Sequence, residues 1–133
     1  MDAYTLHTRV TADPAEAEQQ VRAALADEGF GILTEIDVQA TLKGKLDVDM
    51  PAYKILGACN PGLAHQAIGV DPDIGAMLPC NVVVRAHPEG GSEIVAADPD
   101  TMLGVSPQAD GLRGIASDAR ERIQRALSSL GGS

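Results

Sequence analysis

Tyr53-Lys54-Ile55-Leu56-Gly57-Ala58-Cys59-Asn60-Pro61 is the stretch on which the fold turns. Its first seven residues are apolar on both alternating sets, Lys54 excepted, which predicts an interior strand with protein on each face. Asn60-Pro61 then reads as a helix cap followed by a first-turn proline. The asparagine side chain can accept from the free amides of the first turn, and the proline has no amide to leave unpaired. The short helix that follows runs to about Ile68, with Leu63, Ala67 and Ile68 on its apolar side.

Toward the N-terminus, Tyr4, Leu6, Thr8 and Val10 alternate with Thr5, His7 and Arg9, the pattern of a strand with one wet face. Asp13-Pro14-Ala15-Glu16 is a strong helix start, Ala17, Val21, Ala24 and Leu25 form the buried stripe, and Gly29 ends it. Residues 30–38 read as a second strand. Simple alternation places Phe30, Ile32, Ile36 and Val38 on one face and Leu33, Glu35 and Asp37 on the other. Residues 39–46 read as a short helix or an irregular excursion.

Toward the C-terminus, Asp71-Pro72 starts a turn, and Cys80-Asn81-Val82-Val83-Val84-Arg85-Ala86 is a β-branched strand. Glu89-Gly90-Gly91-Ser92 is a turn, and residues 93–97 complete a hairpin. Residues 98–111 read as an irregular polar connection. A long helix follows: Leu112, Ile115, Ala116, Ala119, Ile123, Ala126, Leu127 and Leu130 keep a 3.6-residue period, and Gly131-Gly132 closes it.

This order predicts a single α+β domain over residues 1–133. It is a two-layer sandwich in β-α-β(4)-α order, with a short helix after the third strand. Two helices cover one face of a mostly antiparallel sheet. His7, Arg9, Glu35, Asp37 and Lys54 are expected on the opposite face or at its margins. An uncovered sheet face commonly dimerises or holds a ligand.

Composition narrows the partners. The chain has 133 residues, 44% of them hydrophobic, and only Tyr4, Phe30 and Tyr53 are aromatic, so Val, Ile, Leu and Ala must build the core. Met50, Met77 and Met102 are available as gap-fillers. A net charge of −9 with no basic cluster repels phosphate backbones, and few rings are present to stack bases, so no nucleic-acid partner is expected. No long apolar stretch suits a bilayer, and Met1-Asp2-Ala3-Tyr4 runs into a strand-like segment without a signal-peptide pattern. A cytoplasmic location follows as the expectation, and there two cysteines are free thiols by default.

Cys59-Asn60-Pro61 and Pro79-Cys80-Asn81 stand in near-mirror settings at element ends, and these thiols are the only soft nucleophiles of the chain. Cys59 precedes a helix N-terminus, whose dipole favours thiolate. The plain alternative is that both are small buried hydrophobes. Asn60 and Asn81 can orient a ligand or simply cap and turn. Glu35 and Asp37 share a strand face, where one carboxylate can raise the pKa of the other for acid–base work; otherwise they form a solvated face or pair with Lys54. His65 falls away from the apolar side of its helix. Two isolated cysteines lack zinc-site spacing, so no metal is assigned. No phosphate loop, nucleophile elbow, metalloprotease or dinucleotide signature is present, and no cofactor is assigned.

The segments Gly29-Phe30-Gly31 through Glu35-Ile36-Asp37-Val38, Tyr53 through Pro61, and Leu78-Pro79-Cys80-Asn81-Val82-Val83-Val84 together resemble the family catalogued as domain of unknown function 302. Asp98-Pro99-Asp100-Thr101-Met102 resembles its acidic-Pro…Met segment. The resemblance spans about residues 2–130. It implies a β-α-β4-α fold similar to the TATA-box-binding-protein-like architecture, and frequently a homodimer, but no activity. The resulting expectation is a small cytoplasmic binding or accessory domain, homodimeric, holding a small molecule near Cys59, Asn60, Cys80 and Asn81, with Asp37 and His65 as further candidates. The rival is a thiol-dependent enzyme or redox-responsive protein using Cys80 or Cys59.

Overall fold

The computed structural model describes residues 4–130. Five strands, β1 (Thr5–Val10), β2 (Gly31–Asp37), β3 (Tyr53–Cys59), β4 (Cys80–Ala86) and β5 (Ser92–Ala97), form one sheet in the order β1-β5-β4-β3-β2. Every neighbouring pair is antiparallel. The nonapeptide strand β3 is interior, as its two apolar faces require. Helix α1 (Pro14–Asp27) carries the chain from one edge strand to the other across a sheet face, and α5 (Ala109–Leu130) packs beside it.

Local chemistry sets these elements. Asp13 accepts from the Glu16 amide at 2.9 Å, and Pro14 opens α1. In the β4–β5 turn, Gly90 and Gly91 have φ of +98° and +75°, and a Cβ on Gly91 would stand 2.3 Å from the Val10 carbonyl oxygen. Only glycine meets both demands. Under the helices, Leu56, Val82, Val84 and Ile94 meet Val21, Leu25, Ile123 and Leu127 in the main core. Each such side chain contributes about 1.5–3 kcal/mol of transfer free energy.

Three stretches differ from the simple sequence pattern. The register of β2 against β3 shifts between Ile32 and Thr34, a bulge that turns the rest of the strand over. Ile32 packs on the core, but Ile36 lies opposite Ile55 and is 48% exposed. Glu35 faces the helix side instead, as does Lys54 by its alternation with Leu56. Residues 38–46 do form a helix, α2 (Val38–Leu46). The turn read at Asp71-Pro72 is a 3₁₀ helix (Pro72–Met77) before β4, and the connection read as irregular, residues 98–111, holds a short helix, α4 (Thr101–Val105), after β5. The Gly131-Gly132 stop lies outside the described residues.

Candidate functional site

The helix α3 (Pro61–Val70) starts where the sequence predicts. Asn60 accepts from the Leu63 amide at 3.2 Å, and Pro61 occupies the first turn. This fixes α3 over the ends of β3 and β4. The 3₁₀ helix, α4 and the N-terminal half of α5 join it in a second core of Ala67, Ile74, Met102, Leu112 and Ala116.

At the seam of the two cores is a cavity of about 30 Å³. Phe30, Cys59 and Cys80 line it from the sheet side, and Leu63, Met102 and Ile115 from the helices. Space for one water is roughly 10–15 Å³, so a very small guest fits as the chain stands. The wall is apolar and offers water few of the partners it needs.

Both cysteines are free and half-buried. Cys80 pairs with Ala58 across the β3–β4 ladder, and Cys59 pairs with Gly31 across β2–β3. Burial pushes the Cys80 thiol above its ordinary pKa, and the nearby charge of Cys59 pushes it the same way. A thiol so placed keeps its proton at neutral pH and is a poor nucleophile.

Of the residues singled out in the sequence, Cys59, Asn60 and Cys80 come together on this wall. Asn81 does not: it is exposed, opposite Gly57. Asp37 caps α2 by accepting from the Ala40 amide at 2.9 Å, and His65 is exposed on α3. Glu35 is engaged by Arg22 and Lys54, so Glu35 and Asp37 serve separate structural roles. Met102 is buried on the cavity wall, whereas Met77 is exposed. Sequence alone could not separate the two methionines, because α4 hides in a polar stretch. Among the described residues, no group of three or more His, Cys, Asp or Glu is arranged to hold a metal ion. No helix among them is long and apolar enough to cross a membrane.

Fold and site together define an antiparallel α+β sandwich with a thiol-bearing apolar cavity at the junction of two cores. Over residues 6–130 the sequence matches the family described as Domain of unknown function DUF302, and the chain belongs to that family. The crystal structure of an uncharacterized conserved DUF302 protein from Bacillus stearothermophilus superimposes with a TM-score of 0.87 at 26% identity, covering 96% of this chain and 98% of that one. A segment is also 33% identical over 69 residues to the Hybrid PKS-NRPS synthetase mpsA of Macrophomina phaseolina (strain MS6); this is 47% of the chain and 2% of the synthetase.

Proposed function

We propose that this chain is a small-ligand binding domain whose site is the cavity between Cys59, Cys80 and α3, and that it acts in the cytoplasm as a homodimer. One observation carries the reading: two free cysteine residues line one apolar cavity beneath a short capped helix. Dimerisation is supported by the uncovered sheet face, where Tyr53, Ile55, Val83 and Val95 remain partly accessible beside Ile36. The net charge of −9 argues for a small molecule and a second copy as partners over nucleic acid.

Binding is favoured over thiol catalysis because the half-buried Cys80 is held protonated and no general base stands on the cavity wall. The test is a melting scan against small apolar and thiol-reactive compounds. Binding at this site raises the melting temperature, and Ala67→Phe, which fills the cavity, abolishes that rise. A compound-independent melting temperature together with full solvent reactivity of both thiols would refute the reading.

A further inference from the structure

Cross-strand register arranges the open sheet face in rows, because directly opposite residues share a face. Ile36, Ile55, Val83 and Val95 stand opposite one another across β2, β3, β4 and β5, an apolar band. Beside it, Tyr53, Arg85, Glu93 and Arg9 stand opposite across β3, β4, β5 and β1, a row of alternating charge. Glu93 is the one carboxylate that the strands put on this face, since Glu35 and Asp37 lie opposite Leu56 and Lys54 on the helix side. In a chain of net charge −9, two copies therefore repel least here. Of the seven arginines, six hold a carboxylate at 3.6 Å or less. Half-buried Arg85 holds none among the described residues, although Glu93 is its neighbour on β5. The Glu93 side chain, 14% exposed, engages His7 through Oε1 alone at 3.1 Å. A cation and a carboxylate oxygen are thus left to other partners on one row.

From this pattern we infer that two copies pack open face to open face and close two reciprocal Arg85–Glu93 ion pairs. The two-fold axis runs along the strands, between β4 and β5. The inference rests on the chain being a homodimer and names the contacts that hold it. Rotation about that axis lays β4 of one copy over β5 of the other and keeps each row at its own level. Arg85 then meets the partner's Glu93, and Glu93 meets the partner's Arg85, the mutual contact of an isologous interface. On the apolar band, Val83 meets the partner's Val95, and Arg9 comes over the ring of the partner's Tyr53. An axis through β4 itself would set Arg85 against Arg85, so charge selects the register as well as the face. Stacked sheets lie about 10 Å apart, a gap that an arginine and a glutamate span together.

Sedimentation equilibrium of the full chain and of two charge-reversed variants tests this. Arg85→Glu and Glu93→Arg each set like charges together twice per dimer, so each should weaken self-association by at least about a hundredfold. Mixed in equal amounts, the two variants should form a heterodimer within about tenfold of native affinity. In that heterodimer the two substitutions face each other in one pair, and the native residues face each other in the second. Arg85 and Glu93 are also neighbours within one chain, and a purely internal role cannot be rescued by mixing. If a reversed variant fails to fold, Arg85→Gln and Glu93→Gln replace the pair. Each should then weaken the dimer by about tenfold, and the double variant by less than the product of the two. A native dimer whose affinity survives both reversals, or whose weakened variants gain nothing on mixing, overturns the pairing and leaves the homodimer standing. A native chain that stays monomeric at every concentration refutes the homodimer itself.

Discussion

Lys54 Nζ lies 2.9 Å from the Glu18 carboxylate, a contact that ties the interior strand β3 to the helix crossing above it. Glu35 of β2 lies 3.3 Å from the same ammonium, and Arg22 closes a ring by bonding both Glu18 and Glu35. Two carboxylates and two cations thus form a neutral circuit at the margin of the main core. The Glu18 side chain is only 11% exposed, so its charge depends on these partners.

Lys54→Met removes one cation and leaves two carboxylates sharing Arg22. The expected loss is about 1–3 kcal/mol, the scale for breaking a charged hydrogen bond that leaves a partner unsatisfied. Urea midpoints with an unchanged slope would measure it.

The same circuit sets the pH range of stability. Burial pushes the Glu18 carboxyl up, but hydrogen bonds from Lys54 and Arg22 outweigh it and leave the group below its ordinary 4.5. Its contribution is therefore present above pH 4.5 and is lost as pH falls through the lower folded value. Lys54 is shifted the other way, chiefly by its hydrogen bond to Glu18. Its contribution is present below 10.5 and is lost as pH rises through the higher folded value. The acid limb of a stability–pH curve should be shallower in Glu18→Gln than in the native chain, measured by urea unfolding between pH 3 and 6, the window about this group.

How much of this was legible in the sequence depends on whether one signal decided a position. Asn60-Pro61 could only start a helix, and it does so at the site. Strict alternation puts Glu35 on the wrong face, and nothing in Gly31-Ile32-Leu33-Thr34 announces the bulge that inverts it. Met102 shared its residue type with Met77, and only the packing of α4 against α5 separates a cavity wall from an exposed side chain. Asn81 looked like the mirror of Asn60 in its tripeptide, but one follows a strand's last residue and the other sits inside a strand on the open face.

Gly57 gives a steric test of that open face. An added Cβ would stand 2.1 Å from Thr34 Oγ1 and 2.8 Å from Pro79 Cγ, closer than real contacts allow. Gly57→Ala should cost about 1–3 kcal/mol through overpacking. Thr34→Gly should recover part of that loss in the double variant, giving a favourable coupling in a double-mutant cycle. Additive losses would mean that the two residues do not meet.

Cys80 is expected to alkylate slowly at neutral pH, since burial and the Cys59 charge both hold its proton. Its rate with iodoacetamide should rise only above the ordinary thiol value of 9.0. Cys59→Ser removes the smaller of the two causes, so the midpoint should move down without reaching that value. Mass spectrometry of the labelled peptide across a pH series reads both effects, and an unchanged midpoint would show that the thiols do not sense each other.

Asn60 links the fold to the cavity, because its side chain anchors the helix that roofs the two cysteines. Asn60→Ala leaves the Leu63 amide without its cap, at a cost of about 1 kcal/mol. That loss is local, falling on α3 more than on the sheet, whose ladders are untouched. Amides of α3 should therefore exchange faster while those of β3 and β4 keep their protection. Cys80 alkylation should rise in parallel, by about fivefold if the whole cost appears as roof opening. Asn60→Asp keeps an acceptor at the helix N-terminus and should restore both readouts. Faster exchange of α3 without faster alkylation would mean that the thiols are reached from the open side of the sheet and that α3 is no lid over them.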